Sequence, residues 1–152
     1  GVALAGPPFG FAMETSLAAM RLVLSGAFDA FPTLKVILGH LGEGLPFAMQ
    51  RMNWAYERPH AKADKGAVVP LAKMPSDYFR DNFMVTTSGN YLPAAFRCTQ
   101  DGLGMDHIMF GTDYLGIGQN IPQFDALKEF ALPADVQEKI CRKTAEKVLR
   151  GG

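Results

Sequence analysis

The chain has 152 residues, 48% of them hydrophobic, and its 15 basic side chains are balanced by 15 acidic ones. This composition is enough for one hydrophobic core, and a net charge of zero gives no electrostatic reason to expect nucleic acid or an anionic membrane surface as a partner. No apolar run approaches the roughly 20 residues that cross a bilayer, and the opening sequence lacks the basic and apolar stretches of a signal peptide. We therefore expect a cytoplasmic protein in which Cys98 and Cys141 are buried thiols and form neither a disulfide nor a zinc site.

Apolar periodicity and turn residues divide the chain into helices joined by loops. Residues 1–10 contain three glycines and two prolines and are predicted to be a loop. The first helix is predicted at 15–31, with Thr15 or Ser16 as its N-cap and Gly26 as a weak point. Further helices are predicted at 45–56, 77–81 (capped by Ser76), 93–98, 122–130 and 134–149, and residues 57–76 are predicted to be a connector with little regular structure.

Three short apolar runs are predicted to be strands, at 34–39, 82–87 and 107–110, and the first is expected to be buried on both faces. Each run ends in a polar turn that contains glycine: GHLGE, TTSGN and GTDY. Helices separate the strands, which favours parallel pairing and an α/β fold. A (β/α)8 barrel needs about 250 residues, so the chain is too short for the whole barrel although it repeats the barrel's pattern.

Two candidate catalytic residues lie where a predicted strand meets its loop. His40 follows the first strand, where an imidazole could act as acid or base near neutral pH, although a histidine that only bonds within a turn is the alternative. Asp113 follows the third strand, where a carboxylate could ligate a divalent metal or orient His40, or could simply cap the next helix. A zinc site needs three or four ligands, so the chain cannot build one alone.

Other polar residues have weaker claims. Glu43 and Arg51 follow His40, and an arginine there could clamp a substrate carboxylate, although exposed charges on a helix usually serve solvation. The hydroxyls of Thr86, Thr87 and Ser88 could line the same mouth, although such a run at a strand end is more often turn chemistry. The two remaining histidines are interpreted as structural (His107, at the start of its strand) and solvent-facing (His60, in the connector).

The segments GHLGEGLPFAMQR, NFMVTTSGN and HIMFGTDY, preceded by METSLAAMRLVLSGAFDAFPTLKV, closely resemble the C-terminal half of the amidohydrolase-related metal-dependent decarboxylases. That family includes the aminocarboxymuconate-semialdehyde, γ-resorcylate and 2,3-dihydroxybenzoate decarboxylases. The resemblance covers nearly the whole chain. It implies a (β/α)8 barrel that holds one divalent metal, zinc or manganese.

The resemblance also implies roles for individual residues. His40 matches the histidine that exchanges a proton with the reacting carbon, and Asp113 matches the aspartate that ligates the metal and contacts that histidine. Arg51 is similar to an arginine that reaches a neighbouring subunit's site to bind the substrate carboxylate. Glu43 matches the acidic residue of the GHxGE motif, with no role assigned to it.

The chain departs from the family pattern in several places. The N-terminal metal-binding motif (Glu or His, any residue, His) is absent, as is the histidine that ends the fifth strand, which is expected upstream of Gly1. Leu115 replaces a proline, and Thr144 stands where the final helix often has asparagine.

We therefore interpret residues 1–152 as a single partial domain, strands 6–8 of a TIM barrel whose N-terminal half is missing. The intact protein is predicted to be a homo-oligomeric (dimeric or tetrameric), metal-dependent decarboxylase of an aromatic or unsaturated carboxylic acid, and the fragment alone is predicted to be inactive. Two alternatives are metal-dependent hydrolysis of a C–N or C–O bond and an inactive truncated remnant that associates through an unpaired sheet edge.

Overall fold

The computed structural model describes residues 2–58, 69–113 and 123–150. The chain forms two compact units, Gly1–Val36 with Glu43–Phe83, and Ile37–Gly42 with Met84–Gly152. The predicted solvent exposure of His60 and the replacement of a proline by Leu115 concern residues that lie outside the described ranges.

The first unit is helical. Its helices are Val2–Ala5 (α1), Gly10–Leu24 (α2), Ala27–Ala30 (α3), Leu45–Tyr56 (α4) and Pro75–Asn82 (α5). The prediction for α4 is confirmed, and Pro46 lies in its first turn, where the missing N–H of proline costs nothing.

The predicted helix at 15–31 is wrong at its start and divided near its end. A short helix replaces the predicted N-terminal loop, and α2 already begins at Gly10, so Thr15 and Ser16 lie inside the helix and cap nothing. Gly26 adopts φ +75°, a left-handed conformation that suits glycine, and this residue separates α2 from α3. The weak point at Gly26 was therefore a correct prediction.

Helix α5 begins at Pro75, two residues before its predicted start. Met74 occupies the N-cap position, and Ser76 lies within the helix. The N–H of Ser76 is satisfied by the side chain of Asn53 on α4, whose Oδ1 accepts it at 2.9 Å. Capping by a residue of another helix leaves no local sequence signal.

Aromatic rings form the core of the first unit. Phe28, Tyr78, Phe79 and Phe83 are at most 2% exposed. The Phe28 and Phe83 rings meet edge to face with centroids 5.1 Å apart, and the Phe79 and Phe83 centroids are 4.6 Å apart. Such contacts between rings add to the stabilisation that apolar burial provides.

The second unit holds the sheet, apart from the first residue of β1 and of β2. The strands are Val36–Leu38 (β1), Phe83–Thr86 (β2) and Ile108–Met109 (β3), in the order β1-β2-β3. Strands β2 and β3 are parallel, with Val85 opposite Ile108. The predicted α/β class and parallel pairing are thus confirmed.

The prediction that the first strand is buried on both faces is wrong. Ile37 is 49% exposed, while Leu38 is buried. Successive side chains of a strand point to opposite faces, so only the face of β1 that carries Leu38 is covered. The third strand is also shorter than predicted, because His107 belongs to the 3₁₀ turn Met105–His107 that precedes it.

The helices of the second unit follow the strands. They are Pro93–Leu103 (α6), Gln123–Glu129 (α7), Ala134–Glu138 (α8) and Thr144–Leu149 (α9), with a π-helical turn at Lys139–Lys143 between the last two. At that turn the carbonyl of Ile140 accepts the N–H of Phe110 at 2.9 Å. The final helical run is thereby hydrogen-bonded to the residue that follows β3.

Both cysteines are free thiols, but they are not buried as predicted. Cys98 is half-buried, and Cys141 is exposed because it lies on the outer side of the π-helical turn whose Ile140 is fully buried. None of the described helices is long and apolar enough to cross a membrane.

Candidate active site

In the second unit, polar residues follow each of the three strands. His40 lies after β1, Thr87 and Ser88 after β2, and Gly111–Asp113 after β3. In parallel α/β sheets the carboxyl ends of the strands form the usual ligand-binding edge. This edge is therefore the candidate active site.

His40 is half-buried and is hydrogen-bonded to Ser88. Its Nδ1 lies 2.8 Å from the carbonyl oxygen of Ser88. The Oγ of Ser88 lies 3.4 Å from both the backbone nitrogen and the Nδ1 of His40. Since a carbonyl oxygen only accepts hydrogen bonds, the 2.8 Å contact requires a proton on Nδ1.

This tautomer has a chemical consequence. With Nδ1 protonated, Nε2 carries the lone pair of the neutral ring, and in the imidazolium it carries the proton that can be transferred. His40 is thus arranged to exchange a proton through Nε2.

The backbone around His40 is strained. His40, Leu41, Gly42 and Glu43 all have positive φ angles, between 52° and 77°. A left-handed conformation is uncommon for residues other than glycine and persists only where the surroundings enforce it. Two hydrogen bonds do so: Gly42 N–H donates to the Gly39 carbonyl at 2.8 Å, and the hydroxyl of Thr99 on α6 donates to the Leu41 carbonyl at 3.0 Å.

Asp113 has the same unusual geometry. Its φ is 53°, and its side chain is exposed at the end of the segment that follows β3. Among the described residues, five non-glycine residues have positive φ, and three of them are His40, Glu43 and Asp113. Strain of this kind clusters at functional sites, which supports a functional interpretation of these three positions.

The other two predicted site residues belong to the first unit. Glu43 is half-buried and precedes α4, and Arg51 is exposed on α4. Arg51 shares one face of the helix with two exposed aromatic side chains, Phe47 (88% exposed) and Trp54 (54% exposed). Just beyond the helix, the guanidinium of Arg58 stacks on the Trp54 ring, 3.9 Å from its centroid.

The hydroxyl residues after β2 include a hydrogen-bond partner of His40. Thr87 and Ser88 are buried, and Ser88 bonds His40 directly. A hydroxyl run at a strand end is common in turns, so its composition alone does not indicate this contact. The available signal was its position: it occupies the same place after β2 that His40 occupies after β1.

The described residues do not form a metal site of their own. Across 2–58, 69–113 and 123–150 there is no group of three or more His, Cys, Asp or Glu side chains that could hold a metal ion. Asp113 can offer one carboxylate oxygen. Further ligands would have to come from residues outside these ranges.

Comparison with known proteins identifies the family. Residues 2–151 match the model of the family described as "Amidohydrolase". A γ-resorcylate decarboxylase of a Polaromonas species is 40% identical over 111 residues, which are 73% of this chain and 33% of that protein. The chain therefore spans about a third of the length of the curated relatives it matches.

Solved structures agree with this match. The 5-carboxyvanillate decarboxylase of Sphingomonas paucimobilis superposes with a TM-score of 0.84 at 34% identity, over 95% of this chain and 42% of that one. The corresponding enzyme of Novosphingobium aromaticivorans, crystallised with manganese and a nitro-substituted benzoic acid, gives a TM-score of 0.90 at 28% identity, over 98% of this chain and 42% of that one. The chain therefore belongs to the amidohydrolase family.

Proposed function

We propose that this chain is the C-terminal part, strands 6–8, of a (β/α)8-barrel enzyme that removes CO2 from an aromatic carboxylic acid. The observation that carries the proposal is the hydrogen bond from His40 Nδ1 to the Ser88 carbonyl at a strained strand end, in a chain whose relatives include several decarboxylases. The match to a third of those relatives agrees with a fragment.

The proposed step breaks the bond between the ring carbon and the carboxylate. The electron pair of that bond stays on the ring carbon, CO2 leaves, and the proton on Nε2 of the His40 imidazolium completes the new C–H bond. The neutral imidazole that remains regains its proton from solvent. General acid catalysis of this kind contributes about 10²- to 10⁴-fold to a rate.

We propose that the enzyme holds one divalent metal ion, manganese or zinc. Asp113 would be one of its ligands, and the other ligands would lie upstream of Gly1. Manganese in the Novosphingobium enzyme supports a divalent ion. When such an ion is bound, it would hold the oxygen atoms of the substrate. Within the described residues only the carboxylate of Asp113 has a proposed part in this, because no complete ligand group is present.

Arg51 and Glu43 are assigned to the substrate side of the enzyme. An arginine forms paired hydrogen bonds with a carboxylate, which suits a substrate acid. We further propose that the α4 face of Phe47, Arg51 and Trp54 packs against a second copy of the chain in a homo-oligomer, so that Arg51 serves the neighbouring site. Exposed Trp, Arg and Phe side chains on one face are typical of protein interfaces.

The test uses the full-length protein. Release of CO2 from hydroxybenzoates and from carboxymuconate-type acids should be measured together with hydrolysis of esters, lactones and amides. Decarboxylation that falls by at least about 100-fold in His40→Gln supports the proposal. An active His40→Gln variant contradicts the role of His40.

The second candidate is metal-dependent hydrolysis, which the family description "Amidohydrolase" favours. The same kind of site can activate water for attack on a C–N or C–O bond. Activity confined to the esters, lactones or amides would establish this alternative and refute decarboxylation.

The interface is tested separately. Phe47→Glu and Trp54→Glu should lower the oligomeric mass that sedimentation velocity measures. Arg51→Ala should weaken substrate binding and leave that mass nearly unchanged. An unchanged mass in both glutamate variants contradicts the proposed interface.

A further inference from the structure

The hydroxyls of Thr86 and Ser88, at the end of β2, form a connected group with the backbone of His40. Thr86 Oγ1 and Ser88 Oγ lie 2.9 Å apart, and Ser88 Oγ lies 3.4 Å from the backbone nitrogen of His40. Since the backbone N–H can only donate, Ser88 Oγ accepts it, while either hydroxyl can be the donor between Thr86 and Ser88. The hydrogen bonds therefore connect His40 to Ser88 and Ser88 to Thr86.

Thr86, at the other end of this group from His40, is held by close packing. A Cβ atom on Gly111 would lie 2.7 Å from the Cβ of Thr86 and 3.1 Å from its Oγ1, so the Thr86 side chain lies directly against the Gly111 backbone. The Gly111 N–H donates to Thr87 Oγ1 at 3.4 Å, and the Thr87 N–H donates to the Met109 carbonyl at 3.0 Å. Thr86 is thus fixed by β3, the strand that leads to Asp113.

We propose that Ser88 is a positioning residue for His40 and that Thr86 holds Ser88 in place. The Ser88 carbonyl fixes the proton on Nδ1 of His40, and the Ser88 hydroxyl, oriented by Thr86, secures the His40 backbone so that the ring stays at that carbonyl. Nε2 is then the nitrogen presented to the reacting carbon. This inference rests on the proposed function of His40 as the proton donor.

The main chain at His40 is strained as well. His40 has φ 52°, a conformation that needs support from its surroundings. Ser88 supports His40 in two ways, through the backbone N–H and through the ring. Loss of the Ser88 hydroxyl should therefore release the main chain and let the ring leave the carbonyl, without altering the ring's chemistry.

The experiment compares four variants of the full-length protein. Ser88→Ala removes the hydroxyl that holds His40, and Thr86→Val removes the second hydroxyl while keeping the side chain's shape. Thr86→Ser keeps that hydroxyl and serves as the conservative rescue. Ser76→Ala removes a buried hydroxyl that bonds Asn53 and Arg80 in the first unit, so it controls for the general cost of losing a buried serine hydroxyl.

Two measurements separate positioning from a purely structural role. Steady-state kinetics of CO2 release should show a fall in kcat of about 10-fold in Ser88→Ala and a smaller fall in Thr86→Val, with KM nearly unchanged, as is typical when a supporting hydrogen bond is lost. Thr86→Ser and Ser76→Ala should keep the kcat of the parent protein. Long-range ¹H–¹⁵N NMR of the imidazoles, with His40 assigned through His40→Gln, should report the Nδ1–H tautomer in the parent and a mixture of tautomers in Ser88→Ala.

The outcomes are decisive in both directions. An Nε2–H tautomer in the parent protein, an unchanged kcat in Ser88→Ala, or an effect on KM alone overturns the inference. Equal losses in Thr86→Ser and Thr86→Val overturn the role of the Thr86 hydroxyl. If the parent protein releases no CO2 from any acid, the proposed function fails, while the tautomer measurement still decides whether Ser88 positions His40.

Discussion

Gly111 and Thr86 are in such close contact that no side chain fits at position 111. A Cβ atom there would lie 2.7 Å from the Cβ of Thr86, on the neighbouring strand. Real Cβ atoms do not approach each other this closely. The Thr86 side chain on β2 therefore requires glycine at position 111.

We expect Gly111→Ala to lower the free energy of unfolding by about 1–3 kcal/mol, because overpacking displaces Thr86 or the backbone. Urea denaturation followed by circular dichroism measures this change. Gly6→Ala is the matched control, since its nearest neighbour would be an ordinary 4.0 Å away. A Gly111→Ala protein as stable as Gly6→Ala would contradict the described contact.

Asn53 and Ser76 join α4 to α5 through two hydrogen bonds. Asn53 Nδ2 donates to Ser76 Oγ at 2.8 Å, and Asn53 Oδ1 accepts the Ser76 N–H at 2.9 Å. Asn53→Ala should lower the free energy of unfolding by about 1–2 kcal/mol, the usual cost of a lost helix cap. Asn53→Asp keeps the acceptor and places a negative charge at a helix N-terminus, so it should cost less. Chemical denaturation of both variants tests this order, and equal losses would show that the donor bond dominates.

Tyr78 gives the first unit a pH-dependent stability at alkaline pH. The residue is 1% exposed, and burial together with a hydrogen bond to Asp29 raises the pKa of its phenol to about 12. The unfolded phenol titrates near 10, so the contribution is complete below pH 10 and is lost as the pH rises to about 12. Stability should therefore fall across this window.

Tyr78→Phe should remove that decline and lower the free energy of unfolding at neutral pH by about 1–2 kcal/mol, because a buried hydrogen bond is lost. Tyrosinate absorbance follows the titration, and denaturation at several pH values follows the stability. Tyr91→Phe is the control, since the Tyr91 hydroxyl accepts one hydrogen bond, at 3.1 Å, from the exposed Gly89. A decline above pH 10 that persists in Tyr78→Phe would assign it to another group.

The 152-residue chain by itself should bind less than one tightly held metal ion. The described residues contain no group of three ligands, and Asp113 alone gives only one carboxylate. Dialysis against manganese or zinc followed by elemental analysis measures the content, with Asp113→Asn as the comparison. Stoichiometric binding by the chain would contradict the fragment hypothesis. In the full-length protein, Asp113→Asn should reduce the metal content.

Local sequence patterns determined much of the fold. The order of the three strands, the parallel α/β class, helix α4 and the break at Gly26 follow from periodicity and turn chemistry over a few neighbouring residues. The motifs GHLGEG, TTSGN and GTDY were enough to identify the family, which the comparison confirmed. They also singled out His40 and Asp113, both of which have a positive φ angle.

Only the tertiary structure decided which residues act on one another. Ser88 is 48 positions from His40 along the chain, and Asn53 is 23 from Ser76, so neither the tautomer of His40 nor the cap of α5 leaves a local signal. The exposure of Ile37 likewise depends on what covers each face of the sheet, which the sequence of β1 does not reveal. The sequence by itself determined that a histidine stands at a strand end; the packing of the strands decided which of its nitrogens holds the proton.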